Sequence, residues 1–142
     1  MSTQTIRTTV RRNAAGKQEI RSRNAIALMG RAPDGNDADD AFRAGELLLG
    51  ALGACTAGTV SAYARNHGIT ALQDVIIEVI GEEVGSPSRI AGIEIVLTLV
   101  GDLSSAEREK LQRVATSCKI HNTLKHPPQI AIAVAAPETA SA

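Results

Sequence analysis

The chain has 142 residues, a length that suits one domain with its own hydrophobic core. Fifteen basic residues balance fifteen acidic ones, and aromatic residues make up only 1% of the chain. There is neither a cationic excess to neutralise phosphates nor a set of rings to stack on bases, so nucleic-acid binding is disfavoured. Apolar residues are 44% of the chain, well above a disordered composition, and the core must be assembled from Ala, Val, Ile and Leu. Small side chains bury little area each, so sharing the core with a second copy is expected to add stability.

The opening segment MSTQTIRTTV lacks the charged start and apolar run of a signal peptide, which predicts a cytoplasmic protein with no membrane partner. Thr3 to Arg11 and Gly16 to Arg23 flank turn residues Asn13–Gly16 and read as a hairpin. Asn24 to Met29 extends the second strand or adds a third. From Gly30 to Asp40 the chain is turn chemistry, and a flexible loop is expected over about residues 30–44. Its four Asp residues lack the spacing and the bidentate Glu of a calcium loop, so they read as solvated.

Glu46 to His67 is the first long helix, with Leu48, Ala51, Leu52, Cys55, Thr59 and Ala62 at spacings of three and four. Leu47, Leu49 and Val60 make the opposite face apolar too, so burial on most sides is expected. The stretch Leu47 to Ala64, interrupted by Thr, Ser, Tyr and Gly, reads as too short and too polar for a membrane span. Gly68 is the expected stop. Leu72–Glu83 and Ile90–Val100 form a second hairpin around Gly85–Ser88, with Ile93, Ile95, Leu97 and Leu99 on one face. Ser104 and Glu107 have the spacing of a capping box. The helix they start buries Leu111, Val114, Ala115 and Cys118, and Cys118 falls at its end. Gln129 to Ala135, after Pro127-Pro128, reads as a last strand, and 137–142 as a frayed tail. One α+β domain over 1–142, mainly antiparallel, accounts for this order.

Cys55 and Cys118 are the only cysteines. In a reducing compartment such a pair is either chemical or simply buried as small hydrophobes. A thiol reacts as thiolate. Lys119 beside Cys118 favours ionisation, whereas a helix C-terminus, with its negative partial charge, opposes it. Cys118-x-x-His121 supplies two ligands at most, short of a zinc site. Gly50-x-x-Gly53 lacks the Lys of a phosphate loop and reads as close packing.

Glu46-Leu-Leu-Leu-Gly-Ala-Leu-Gly-Ala-Cys-Thr56, followed by Tyr63-Ala-Arg65 and Gly68, resembles the signature helix of the OsmC/Ohr family, the osmotically inducible and organic hydroperoxide resistance proteins. Gly101-Asp-Leu-Ser104, Leu111, Cys118-Lys-Ile-His121 and Thr123-Leu124 resemble the family's second-cysteine region. The departures point to the broader OsmC-like branch. The resemblance implies an intertwined homodimer, with antiparallel sheets around two central helices and active sites at the interface. It implies that Cys55 is the peroxidatic thiolate, oxidised to a sulfenic acid by an organic hydroperoxide, and that Cys118 resolves it as a disulfide. It also implies an external dithiol reductant of lipoyl type and no bound cofactor or metal.

The activating Glu of the peroxidases lies ten residues before the first cysteine. Here that position is Gly45, and Glu46 lies nine before Cys55. Nine helical residues turn about 900°, which sets Glu46 opposite Cys55. Arg31 and Arg43 flank the loop from which the family's thiolate-holding Arg comes. Lys119 stands where the family usually has Pro. Three readings remain open at this point: a thiol peroxidase of oxidative stress defence, a non-enzymatic OsmC-like protein that binds an apolar ligand or senses redox state, and a bare scaffold in which both cysteines are inert.

Overall fold

The computed structural model describes residues 2–136. Strands β1 (Thr9–Arg12), β2 (Gln18–Ser22) and β3 (Ala25–Met29) form an antiparallel sheet in that order. The Asn13–Gly16 turn is where the sequence predicts it. Gly16 has φ +83°, and the Asn13 side chain accepts the Lys17 N–H at 2.9 Å. β1 is shorter than the expected Thr3–Arg11, and Asn24–Met29 resolves into a third strand.

The Asp-rich loop that follows is held by ion pairs: Lys17 with Asp40 at 3.6 Å, and Asp37 with both Arg31 and Arg43 at 3.7 Å. Helix α1 (Ala44–Asn66) begins where the Glu46 carboxylate accepts the Arg43 N–H at 2.7 Å. It ends at Gly68, φ +68°, as the sequence predicts. Its buried residues are Leu52, Gly53, Thr56, Val60 and Ala64. This corrects the expected stripe by about one residue: Leu48 and Ala51 are exposed. With apolar residues on several sides, the helix has no phase of its own, and the neighbouring strand decides which side is covered. At 23 residues α1 is also long enough to cross a bilayer, contrary to the sequence reading, but it packs on β4, α2 and α3 as the core helix of this fold.

β4 (Leu72–Val84) and β5 (Arg89–Gly101) pair antiparallel along their whole length, 13 residues each. Ile77, Val79 and Gly81 face α1, matched across the ladder by Leu97, Ile95 and Ile93. The approach is close. A Cβ on Gly53 would stand 2.9 Å from Val79, and one on Gly81 would stand 2.9 Å from Leu49.

The second helical region is not one helix. α2 (Ser105–Val114) starts with the predicted Ser104–Glu107 capping box, then tightens into a 3-10 turn at Ala115–Ser117. A separate helix α3 (Lys119–Lys125) follows. Cys118, expected at the foot of the second helix, stands at the head of the third. Val60, Ala64, Leu103, Leu111 and Ala115 form the buried cluster where α1 meets α2, joined by Tyr63, Leu97 and Leu99.

The expected strand Gln129–Ala135 is absent. Ile130, Ile132 and Val134 alternate as a half-buried strand would, yet are 87%, 91% and 93% exposed. Among the described residues this stretch joins no strand of either sheet. The predicted frayed tail at 137–142 lies outside the described residues.

Candidate functional site

Cys55 and Cys118 come together although they belong to different elements. Cys55 projects from the middle of α1 and is half-buried. Cys118 is 1% exposed and caps the N-terminus of α3 with φ −72°, ψ 152°. The capping atom is its sulfur, which accepts the His121 backbone N–H at 3.2 Å. This is the position Ser or Asp takes in an ordinary N-cap, so an electron-rich sulfur suits it. The Thr56 hydroxyl lies 3.6 Å from the same sulfur, and Cys55 is close enough to influence its ionisation. The two cysteines are free thiols.

Burial pushes the Cys118 thiol up from its ordinary value. Hydrogen bonds from the His121 N–H, the Thr56 hydroxyl, the Cys55 thiol and the Ile120 N–H outweigh it, and the net shift is downward. The cause differs from the one the sequence suggests. Lys119 is not among the groups responsible, and no helix C-terminus opposes ionisation, because Cys118 opens α3 rather than closing α2. His121 contributes its backbone, and its ring lines the cavity beside the pair. Among the described residues no group of three His, Cys, Asp or Glu side chains converges on a metal-sized site.

That cavity, of about 690 Å³, opens between β5 and α2 and is floored by Ile93, Ile95, Leu97 and Leu99. Thr56 and His121, the residues that hold the Cys118 sulfur, form part of its wall, together with Arg108 and Gln112. A smaller space of about 200 Å³ continues past His121 toward Leu52 and Leu124.

The other three candidates do not join the pair. Glu46 caps α1 and faces a separate 440 Å³ cavity with Gly50, Gly53 and Val79, on the side of the helix the rotation predicts. Neither cysteine lines that cavity, and only the larger one includes Thr56 and His121, which hold the Cys118 sulfur. Arg31 bonds the Gly35 carbonyl at 3.2 Å and pairs with Asp37. Arg43 pairs with Asp37 and with Glu83 at 3.5 Å. Sequence reasoning missed Thr56. The one signal for it was a hydroxyl residue four positions after Leu52 on an apolar helix.

A sequence model of the OsmC-like protein family matches residues 35–133, well over half of the chain. The chain belongs to that family. No curated protein sequence matches this OsmC-like protein. Among solved structures, an OsmC-like protein from Mycoplasma pneumoniae superposes with a TM-score of 0.74 at 19% identity, covering 87% of this chain and 89% of that one. An organic hydroperoxide resistance protein OsmC from Legionella pneumophila gives 0.60 at 17% identity, covering 88% and 92%. The organic hydroperoxide resistance protein OhrB of Bacillus subtilis gives 0.55 at 20% identity, covering 87% and 92%. At these identities the likeness is one of fold.

Proposed function

We propose that this OsmC-like protein is a cytoplasmic thiol peroxidase that reduces organic hydroperoxides in oxidative stress defence. The observation that carries the proposal is the juxtaposition of two free thiols, one half-buried and one hydrogen-bonded toward thiolate, next to Thr56 and His121, which wall a largely apolar cavity. Cys55 is the thiol a substrate can reach. Once it has lost its proton, Cys55 attacks the outer peroxide oxygen. The O–O bond breaks, an alcohol leaves, and Cys55 becomes a sulfenic acid. Cys118 then attacks that sulfur and expels water, leaving a disulfide. An external dithiol of lipoyl type restores both thiols. The Ile and Leu floor of the cavity favours an apolar peroxide over hydrogen peroxide. Two of the solved structures similar in fold are named as hydroperoxide resistance proteins, which agrees with this reading.

The working unit in this proposal is a homodimer. Ile26, Phe42, Ile76, Ile130, Ile132 and Val134 are all more than half exposed in the single chain, more apolar surface than isolated residues explain. Purified protein supplied with dihydrolipoamide should consume cumene hydroperoxide repeatedly, and Cys55→Ser should abolish turnover. Absence of turnover with every dithiol tried removes the enzyme.

A second reading has its own observation. Glu46, Arg31 and Arg43 are engaged with other groups, and position 45 is Gly. A pair without these activators fits a redox sensor or apolar-ligand carrier, which would oxidise once or bind stoichiometrically without turning over.

A further inference from the structure

The two sulfurs are unequal in a way that sets the direction of the reductive half of the cycle. Cys118 is almost wholly covered, whereas Cys55 is half-buried. A thiolate attacking a disulfide must reach the sulfur it attacks, and the bond breaks faster when the departing sulfur is a stable thiolate. Accessibility favours attack at Cys55. The hydrogen-bond donors around Cys118 favour its departure.

The Thr56 hydroxyl is placed to act at that moment. It is fully buried, so no water replaces it, and its single proton faces two acceptors: the Leu52 carbonyl at 2.8 Å and the Cys118 sulfur at 3.6 Å. Inside a helix the carbonyl four residues back already accepts a backbone N–H, so turning the hydroxyl away from Leu52 leaves no orphan acceptor. While Cys118 is uncharged, the proton sits on the Leu52 carbonyl. When negative charge arrives on the sulfur, the proton turns to it, because a charged acceptor makes the stronger bond.

We propose that Cys118 is the leaving group when the Cys55–Cys118 disulfide is reduced, and that the Thr56 hydroxyl and the His121 N–H receive the departing charge. A thiolate of the reducing dithiol attacks the Cys55 sulfur. The Cys55–Cys118 bond breaks, its electron pair goes to Cys118, and the dithiol is held on Cys55 as a mixed disulfide. The second thiol of the reductant loses its proton and attacks its own bound sulfur, expelling Cys55. The two protons of the dithiol end on the two cysteines, and the reductant leaves as a cyclic disulfide. This inference rests on the disulfide cycle proposed above, but needs only the disulfide, not the peroxide that forms it. The titratable and charged groups nearest Cys118 are Cys55 on α1 and Lys119 and His121 on α3, and the cavity that Thr56 and His121 wall also carries Arg108 of α2 and Glu94 of β5.

The test oxidises the full chain with diamide, exposes it briefly to excess glutathione, and quenches in denaturing acid before alkylation and peptide mapping. Glutathione on Cys55 with the alkyl group on Cys118 is expected. Glutathione on Cys118, or shared equally, overturns the proposal. Reduction of the disulfide by dithiothreitol should slow roughly tenfold in Thr56→Val, the loss of one hydrogen bond to a charged sulfur. The ultraviolet thiolate signal of that variant should titrate at higher pH, and Thr56→Ser should restore both. An unchanged rate and titration in Thr56→Val remove Thr56 from the step. Should that variant fail to fold, glutathione mapping on the unaltered chain still decides the direction of attack. A disulfide that forms with diamide in a protein that never consumes peroxide defeats the peroxidase reading alone. No disulfide with diamide defeats both.

Discussion

The β4–β5 hairpin and the three-stranded N-terminal sheet are both antiparallel, but their apolar residues meet different fates. In the hairpin, Val75, Leu97 and Leu99 pack against the cluster where α1 meets α2. In the N-terminal sheet, Val10 and Ile26 remain more than half exposed, and Lys17 is the only buried residue in the described chain up to Met29. The face of the hairpin turned to the helices is covered within one chain, and those helices hold both cysteines, although Ile76 and Val96 on its other face stay exposed. The N-terminal sheet has backbone order without a core, and the unpaired stretch around Ile130–Val134 shares its condition. Stability and site geometry should therefore depend on the first region in any state of assembly, and on the second only through a partner copy.

The largest effect should come from the centre of the first region. Leu111 is fully buried between α1 and α2, and Leu111→Ala should cost about 2–5 kcal/mol in thermal or denaturant unfolding. A cost near that of a surface residue would mean that the helices do not share a core. Gly53→Ala comes next. Its new methyl group would press on Val79 at the closest approach of α1 to β4, and a loss of about 1–3 kcal/mol is expected. Ile26 tests the other region. Ile26→Asp should lower the dissociation-linked stability by about 1–2 kcal/mol per copy and shift sedimentation toward monomer. In the unaltered protein the unfolding midpoint should then rise with protein concentration. If the unaltered protein sediments as a monomer with a concentration-independent midpoint, the N-terminal sheet has no partner and the contrast between the regions loses its meaning.

The same contrast explains which features the sequence announces. The Asn13–Gly16 turn, the Ser104–Glu107 capping box, the Gly68 stop and the alternation of β4 and β5 are decided by residues within a few positions of one another, and all four stand where expected. Features decided at a distance are not legible in this way. The buried stripe of α1 is set by Val79 and Ile77, which fit against Gly53, and a helix apolar on several sides carries no internal record of that choice. The break before α3 has no Gly or Pro to mark it, because a 3-10 turn and a sulfur cap make it. Thr56 acquires its partner 62 positions away, so nothing near it in the chain reveals its use. The stretch at 129–135 has the right alternation yet pairs with neither sheet, because alternation does not specify a partner edge. The meeting of the two cysteines followed from resemblance to a family, not from spacing.

The smallest effect concerns pH, and it belongs to the first region alone. Burial raises the Cys118 thiol, but the hydrogen bonds from His121, Thr56, Cys55 and Ile120 lower it more, so the folded chain releases this proton before an unfolded chain does, whose ordinary value is 9.0. Between those two points the unfolded state holds more protons than the native one, and stability rises with pH. The contribution is complete above the unfolded value and disappears as pH falls through the folded one. The fully reduced protein should therefore gain in unfolding midpoint over Cys118→Ser as pH rises from about 6 to about 9, with the gain concentrated at the upper end. Thr56→Val should flatten that difference, since it removes one of the donors. Ile26→Asp should leave it intact, because the sulfur's donors all come from α1 and α3 of the same chain. A pH-dependent difference that vanishes with Ile26→Asp would place the partner copy in the thiolate's surroundings and erase the division between the two regions.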